Sequence, residues 1–177
     1  VTAMPDMNQR NPFMANYLIQ NTIWWIEYAD LDGLRIDTYP YSDKTFLSNW
    51  SNAVMDEYPK LNMVGEEWST RQAVTAYWQM GQKNKDGYRS FLPSMMDFPL
   101  NNALIEGLKE NDKDWGKGML KVYQCLSDDY LYADANKLVT FCDNHDMNRI
   151  YTQLAEDKEL LKMGLALVFT TRGIPQL

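Results

Sequence analysis

The stretch Asp32-Gly33-Leu34-Arg35-Ile36-Asp37 predicts a short buried strand that ends on an arginine and a carboxylate. Successive strand residues point to opposite faces, so Arg35 and Asp37 share one face. Two later apolar runs follow the same plan: residues 62–66 end on Glu66, and residues 138–146 end on a polar cluster that contains Asp146. Three strands that each deliver an acid at the C-terminal end predict an active site on a parallel sheet.

Helical and strand signals alternate along the chain. Asn11 and Pro12 form a helix start, and we expect this first helix to reach Ala29, with Trp24 and Trp25 in the core. Such alternation predicts parallel strands with crossover helices. The other predicted helices cover 43–58, 70–80, 100–110, 115–127 and 157–169, and the predicted strands cover 33–38, 61–66, 94–98, 137–143 and a start near 173.

Two α/β architectures fit this order, an open doubly wound sheet or part of a (β/α)₈ TIM barrel. No glycine-rich phosphate loop follows a predicted strand, which weakens a nucleotide-binding interpretation. Acids at the ends of several strands favour the barrel. A whole barrel needs about 250 residues, and the chain has 177. We therefore expect residues 1–177 to form one partial catalytic domain, the C-terminal part of a barrel.

The composition of the chain limits the classes of molecule that it is expected to bind. The formal charge of −7 argues against nucleic acid and is neutral toward uncharged substrates. No apolar run has the length needed to span a membrane. The two cysteines, Cys125 and Cys142, are expected to be buried free thiols. The sequence leaves the compartment open between secreted, periplasmic and cytoplasmic.

The strand-end acids suit glycoside hydrolysis. That reaction uses two carboxyl groups that flank the scissile bond, one that attacks the sugar and one that carries the proton. A third acid nearby can keep the proton on its carrier and hold sugar hydroxyls. Arg35 would keep a neighbouring nucleophile ionised. His145, the single histidine, lies inside the polar cluster, where a structural and a functional role are equally open.

These motifs resemble the α-amylase family, glycoside hydrolase family 13. Residues 33–37 are similar to its second conserved region, 64–66 to its third and 141–146 to its fourth. Met4-Pro5-Asp6-Met7-Asn8 resembles the motif before the third crossover helix in neopullulanases and cyclomaltodextrinases. Gly173-Ile174-Pro175 is similar to the approach to the eighth strand. The resemblance thus runs from the loop before the third crossover helix to the start of the eighth strand.

The resemblance implies a role for each residue of the cluster. Asp37 would be the nucleophile, and Glu66 the general acid and then the general base. Asp146 would bind the 2- and 3-hydroxyls of the sugar and distort it. Arg35 would hold and orient Asp37, and His145 would donate to sugar hydroxyls.

Further candidates for substrate binding are Asn144, Tyr39, Tyr41 and Trp68. Trp68 is equally compatible with core packing. Tyr41 follows Pro40 where many α-amylases have a Lys-His pair, so we expect Tyr41 to replace the lost contacts by stacking.

Two charged neighbours are assigned outside the catalytic set. Glu66 directly follows the glycine, as the family's acid does, and strand side chains alternate. Glu67 is therefore expected on the opposite side or in a loop contact. Arg149 is expected either to brace the loop of Asp146 through an ion pair or to be solvated.

The implied activity is retaining hydrolysis of α-1,4-glucosidic bonds in starch-like glucans, maltodextrins, cyclodextrins or pullulan, with no required cofactor or metal. The family's first conserved region, with its calcium-ligating asparagine, is absent from the sequence, so this segment does not support a calcium site, and the resemblance allows one only in the full-length protein. Alternatives are a glucosyl-transferring or isomerising member, a non-catalytic scaffold relative and a doubly wound ligand-binding domain. Open barrel edges predict that the segment either associates with itself or depends on the rest of the barrel. Little activity is expected for the segment by itself, because part of the family's cleavage subsite is absent from it.

Overall fold

The computed structural model describes residues 5–110 and 113–177, and Met4 of the Met4–Asn8 motif lies outside them. Within these ranges helices and strands alternate as the sequence predicts. The helices are α1 (Pro12–Ala29), α2 (Lys44–Glu57), α3 (Gln72–Tyr77), α4 (Phe98–Lys109), α5 (Leu120–Ser127), α6 (Ile150–Gln153) and α7 (Lys158–Thr170). The strands are β1 (Gly33–Ile36), β2 (Asn62–Gly65), β3 (Ser94–Met95), β4 (Val139–Phe141) and β5 (Ile174–Gln176).

The strands are parallel and follow one another in chain order. Strands β1, β2 and β3 form one group, β4 and β5 form another, and a parallel bridge between Met96 and Val139 joins the two groups. Neighbours in the sheet are therefore neighbours in sequence. A barrel arc has this order, whereas a doubly wound sheet reverses its order at a switch point. Within the described ranges β1 and β5 are paired on one side each, and self-association through these edges stays a prediction.

Side-chain caps set the starts of the longer helices. The Asn11 carboxamide accepts hydrogen bonds from the backbone N–H groups of Phe13 and Met14, and Pro12 occupies the first helical position. Aspartates cap three later helices in the same way, Asp43 on α2, Asp97 on α4 and Asp157 on α7. Such caps satisfy backbone donors that have no partner inside a helix. The predicted start and end of α1 are confirmed.

The predicted elements are longer than the observed ones at several ends. The strand predicted over 137–143 covers Val139–Phe141, and the helix predicted over 70–80 covers Gln72–Tyr77. The four-residue helix α6 was absent from the sequence prediction, because four residues are too few to show helical periodicity. Among helices of the described ranges, none is long and apolar enough to cross a membrane.

The prediction that Trp24 and Trp25 lie in the core is wrong. Their exposed fractions are 49% and 46%. The buried residue of α1 is Ile26, and a helix turns by about 100° per residue. Trp24 therefore points to the side opposite Ile26, where its ring stacks on Tyr28 with a centroid separation of 4.7 Å.

The core lies between the sheet and the helices that cover it. Its fully buried members include Val54, Met63 and Met95. Cys125 and Cys142 are free and buried, as predicted. Burial raises the pKa of Cys125 to about 12 and that of Cys142 to about 11, so both thiols are chemically quiet.

A cluster of ion pairs joins three segments of the chain. The guanidinium of Arg172, just before β5, forms ion pairs with Asp97 at the start of α4 and with Asp129 in the loop after α5. Asp97 is fully buried, and Arg172 is largely so. Burial disfavours the charge on Arg172, but Asp129 and Asp97 together raise its pKa above the usual value. A buried pair of this kind depends on keeping both partners.

Replacement of Arg172 by Gln is expected to lower the free energy of unfolding by about 3–5 kcal/mol, because Asp97 stays buried without its cation. The double variant Asp97→Asn with Arg172→Gln should recover part of the loss, since the fully buried carboxylate of Asp97 is then absent. Urea unfolding of the three proteins measures this. Equal stability of the Arg172→Gln variant and the unchanged protein would contradict it.

Candidate active site

Three segments bring the predicted acids together at the C-terminal ends of the strands. Asp37 lies one residue beyond β1, Glu66 one residue beyond β2, and Asp146 in the loop after β4. One carboxylate oxygen from each of the three lies within 4.8 Å of the others. The acids that the sequence places at separate strand ends therefore form one cluster.

Arg35 lies among the three acids. Its Nη1 donates to Asp37 Oδ1 at 2.7 Å, and its Nη2 donates to Glu66 Oε1 at 2.8 Å. The same Nη2 is 3.9 Å from Asp146 Oδ2. The predicted pairing of Arg35 with Asp37 is present, and its contact with Glu66 is an addition. One cation thus offsets the repulsion among three carboxylates.

Glu66 is the buried member of the cluster. Its side chain is 4% exposed, against 61% for Asp37 and 42% for Asp146. Its Oε2 accepts a hydrogen bond from the backbone N–H of Thr38 at 2.9 Å. Its backbone N–H donates to Ile36 O, and its backbone carbonyl accepts from Tyr39 N–H, both at 3.0 Å. The chain that continues from β1 therefore fixes the position of Glu66.

Thr38 makes this arrangement through an unusual backbone. Its φ is 43°, in the left-handed region, although it is a β-branched residue. A non-glycine residue in this region costs on the order of 1–3 kcal/mol and persists where the surroundings compensate for it. Here the compensation includes the hydrogen bond from Thr38 N–H to Glu66 Oε2. Nothing in the sequence signals this role of Thr38.

Local hydrogen bonds shape the loop that carries Asp146. The Asn144 side-chain oxygen accepts from Asp146 N–H at 2.9 Å. Asp143 accepts from Ile150 N–H at 2.7 Å and from Arg149 Nη1 at 2.6 Å. The ion pair predicted for Arg149 is therefore present. His145 is mostly exposed, and its Nε2 is 3.2 Å from Asp146 Oδ2.

Two of the residues predicted to contact substrate, Tyr39 and Asn144, are buried. Tyr39 is 1% exposed, and its ring packs edge-on against Trp78. The left-handed turn at Thr38 and the short 3₁₀ helix Tyr39–Tyr41 direct this side chain into the core. Asn144 is 7% exposed, and its carboxamide oxygen is used by Asp146 N–H. Tyr39 is therefore part of the core and not an exposed stacking surface. The substrate-binding role of Asn144 stays a prediction, and its buried Nδ2 has no hydrogen-bond partner among the described residues.

Trp68 and Tyr41 do present aromatic surface. Trp68 is 54% exposed and stacks on Phe98 with ring centroids 4.8 Å apart. Tyr41 is 79% exposed and lines a surface cavity of about 520 Å³ together with Trp78. Trp68 follows Glu66 in the chain and Tyr41 follows Asp37, so each ring lies beyond a strand that ends on an acid.

Glu67 makes the loop contact that the sequence allows. Its Oε2 accepts a hydrogen bond from the indole N–H of Trp78 at 3.0 Å. Burial raises the pKa of Glu67, and the Trp78 hydrogen bond partly opposes the rise. Glu66 and Glu67 therefore differ in partners, Glu66 with Arg35 and Glu67 with an indole.

The same three acids could share a cation. In the part of the chain that the structure describes, Asp37, Glu66 and Asp146 are the group of acids close enough to do so. The guanidinium of Arg35 already contacts each of them. Its positive charge opposes a second cation at the same place.

The sequence matches a known protein family along its whole length. A family model described as the alpha-amylase catalytic domain matches residues 1–177. The chain belongs to the α-amylase family. An α-amylase of Streptomyces lividans is 34% identical over an alignment of 171 positions, which covers 85% of this chain and 17% of that protein. A cyclomaltodextrin glucanotransferase of Geobacillus stearothermophilus is 29% identical over an alignment of 180 positions, which covers 98% of this chain and 23% of that protein.

A solved structure agrees with this assignment. The α-amylase from Geobacillus thermoleovorans, crystallised with acarbose, superposes with a TM-score of 0.84 at 27% identity. The match covers 99% of this chain and 38% of that one. The α/β class with parallel strands of a TIM barrel is confirmed. The chain spans about a quarter of the length of an intracellular maltogenic amylase from Bacillus subtilis, 27% of that protein.

The Glu67 carboxyl group is expected to titrate above its ordinary value of 4.5, because burial disfavours the carboxylate. Its contribution to stability is then fully present below pH 4.5 and is lost as the pH rises through the folded-state pKa. Replacement of Trp78 by Phe removes the opposing hydrogen bond and should raise the pKa further. Carbon-13 NMR of labelled glutamate measures both shifts.

A matched control for this titration is Trp25→Phe, which changes an exposed indole on α1. It should leave the Glu67 titration unmoved. A Glu67 that titrates at or below 4.5, or that ignores Trp78→Phe, would contradict the account.

Proposed function

We propose that the protein carrying this chain is a retaining glycoside hydrolase that cleaves α-1,4-glucosidic bonds of starch-like glucans, maltodextrins, cyclodextrins or pullulan. The separation of at most 4.8 Å between carboxylate oxygens of Asp37, Glu66 and Asp146 carries the proposal. Retaining enzymes hold their two carboxyl groups about 5–5.5 Å apart, and inverting enzymes about 6.5–9.5 Å apart. The closeness of the carboxylates fits the shorter class, in which a carboxylate attacks the sugar directly.

In the first step Asp37 attacks the anomeric carbon. The new bond joins that carbon to a carboxylate oxygen of Asp37, and the bond to the leaving glycosidic oxygen breaks. Glu66 passes a proton to the leaving oxygen. Arg35 orients Asp37 through the 2.7 Å hydrogen bond, and the exposure of Asp37 leaves it open to substrate.

Glu66 needs a rearrangement before it donates. In the structure one of its oxygens accepts from Arg35 and the other from Thr38 N–H. A carboxyl group that carries a proton needs one oxygen free to point that proton at the substrate. Substrate binding therefore has to release one of the two contacts. We expect it to be the contact with Arg35, because the guanidinium keeps Asp37 and Asp146 as partners.

In the second step a water replaces the departed sugar. Glu66, now a carboxylate, takes a proton from the water, and the oxygen of that water attacks the anomeric carbon. The bond to Asp37 breaks, and Asp37 returns as a carboxylate. Two displacements at one carbon restore the α configuration.

Asp146 and His145 complete the subsite in this proposal. Both are exposed and adjacent, with His145 Nε2 3.2 Å from Asp146 Oδ2. Together they offer an acceptor and a donor for two neighbouring sugar hydroxyls. Trp68 and Tyr41 supply exposed rings on which the apolar faces of further glucose units would stack.

Glucosyl transfer is the second candidate activity. The similarity to a cyclomaltodextrin glucanotransferase at 29% identity favours it. The first step is the same in both activities, and the acceptor in the second step is a sugar hydroxyl instead of water. Products separate the two: free reducing ends accumulate in hydrolysis, and longer or cyclic glucans accumulate in transfer.

Asp37→Asn and Glu66→Gln test the acid assignments in the protein at its full natural length. Loss of the Glu66 proton donor should lower reducing-sugar release from amylose by about 10²–10⁴-fold. Loss of the nucleophile should lower it at least as much, because no covalent intermediate forms. Glu67→Gln is the matched control and should keep near-normal rates. Full activity of Asp37→Asn or Glu66→Gln would refute the assignment.

Tyr41→Ala tests the stacking role. The change should weaken the affinity for long malto-oligosaccharides by roughly 2–10-fold, the worth of one aromatic contact, with little effect on maltotriose. Tyr130→Ala removes an equally exposed tyrosine from the loop before β4 and should have no effect. Unchanged affinity of Tyr41→Ala for long oligosaccharides would remove Tyr41 from the site.

A further inference from the structure

Asn101 is a buried polar residue in the first turn of α4, with 4% of its surface exposed. Its side-chain Nδ2 donates to the backbone carbonyl of Phe141 at 3.1 Å and to that of Cys142 at 2.8 Å. The amide group has two protons, and each serves one carbonyl. Asn101 therefore holds two successive backbone groups of a segment 40 residues away in sequence.

These two carbonyls lie where β4 ends. Phe141 is the last residue of β4, and Cys142 directly precedes the loop that carries Asp146. Both residues are buried, so water cannot solvate their backbone freely. A buried carbonyl without a partner costs about 1–3 kcal/mol. The two hydrogen bonds from Asn101 thus fix the direction in which the chain leaves β4.

The helix that carries Asn101 is itself fixed against β4. Asp97 N–H donates to Val139 O at 2.9 Å, and Asp97 Oδ1 caps the helix at Leu100 N–H. The ion pair with Arg172 holds Asp97 in turn. The first turn of α4 consequently contacts β4 at its first residue, through Asp97, and at its end, through Asn101.

Beyond Cys142 the hydrogen bonds that shape the loop are local. Asn144 accepts from Asp146 N–H, two residues away, and Asp143 accepts from Ile150 N–H, seven residues away. The loop meets other elements through the ion pair of Asp146 with Arg35 and through Met147, which packs against the cluster of Met96, Phe98 and Phe141. Asn101 supplies a connection from another element at the point where the loop begins.

We propose that Asn101 is a positioning residue, which places Asp146 against the bound sugar by holding the carbonyls of Phe141 and Cys142. The proposal rests on the sugar-binding role proposed for Asp146. The side-chain hydrogen bonds of Asn101 go to backbone carbonyls, and Asn101 takes no part in the chemistry. Its effect on ligand binding has to pass through Asp146.

A double-mutant cycle tests this in the full-length protein, with acarbose as the probe and calorimetry as the readout. The four proteins are the unchanged protein, Asn101→Leu, Asp146→Asn and the double variant. Leucine matches asparagine in shape but has no donor. We expect Asn101→Leu to weaken acarbose binding on the order of tenfold alone and less than about twofold when Asp146 is already asparagine.

Asn102→Leu is the matched control, because it makes the same change on the next residue of α4. It should leave the acarbose dissociation constant unchanged. If Asn101→Leu does not fold, as judged by thermal unfolding, Asn101→Ala takes its place in the cycle, since its cavity is small.

The outcomes separate the two proposals. Equal weakening by the Asn101 variant in both backgrounds, or no weakening in a folded protein, overturns the positioning role. Unchanged acarbose binding by Asp146→Asn overturns the sugar-binding role of Asp146, and with it the premise of the cycle. A loss that depends on Asp146 supports the positioning role.

Discussion

The guanidinium of Arg35 among three carboxylates is the interaction on which the site depends. Two like charges about 4 Å apart repel by about 1 kcal/mol in water and about 4 kcal/mol near a protein surface. Asp37, Glu66 and Asp146 lie within 4.8 Å of one another, so the site is costly without a central cation. Arg35 is aligned with Val64 in the β1–β2 pairing, and that register brings Glu66 beside Asp37.

Much of the site was predictable because its signals are local. An apolar run that ends on an acid gives the strand, its end and the face of the acid, as for Asp37 and Glu66. The burial of Tyr39 was not predictable, because it follows from the left-handed turn at Thr38. The role of Asn101 depends on carbonyls 40 residues away. The spacing of apolar residues on α1 predicted a helix, but it did not show which side of that helix would be buried.

Chemistry and specificity have different structural origins in this member of the α-amylase family. Arg35 lies within β1, and Asp37 and Glu66 directly follow paired strands, so the pairing of β1 with β2 fixes these three residues. The surfaces beyond them consist of loops and helix starts, where Tyr41 and Trp68 are exposed and Glu67 is held by Trp78. Loops tolerate change because few backbone contacts constrain them. Similarity to both amylases and a glucanotransferase fits a shared acid cluster with variable surroundings.

The three acids follow two different groups of strands, which the bridge between Met96 and Val139 joins. Asp37 and Glu66 belong to the group β1–β3, and Asp146 follows the group β4–β5. Helix α4 follows β3 in the chain and is hydrogen-bonded to β4 through Asp97 and Asn101, so it links the two groups beside the bridge. The distance of Asp146 from the other two acids therefore depends on the contacts that join the groups. A small rotation of the group β4–β5 against the group β1–β3 would change the distance from Asp146 to Asp37 and Glu66. The distance between Asp37 and Glu66 would stay the same.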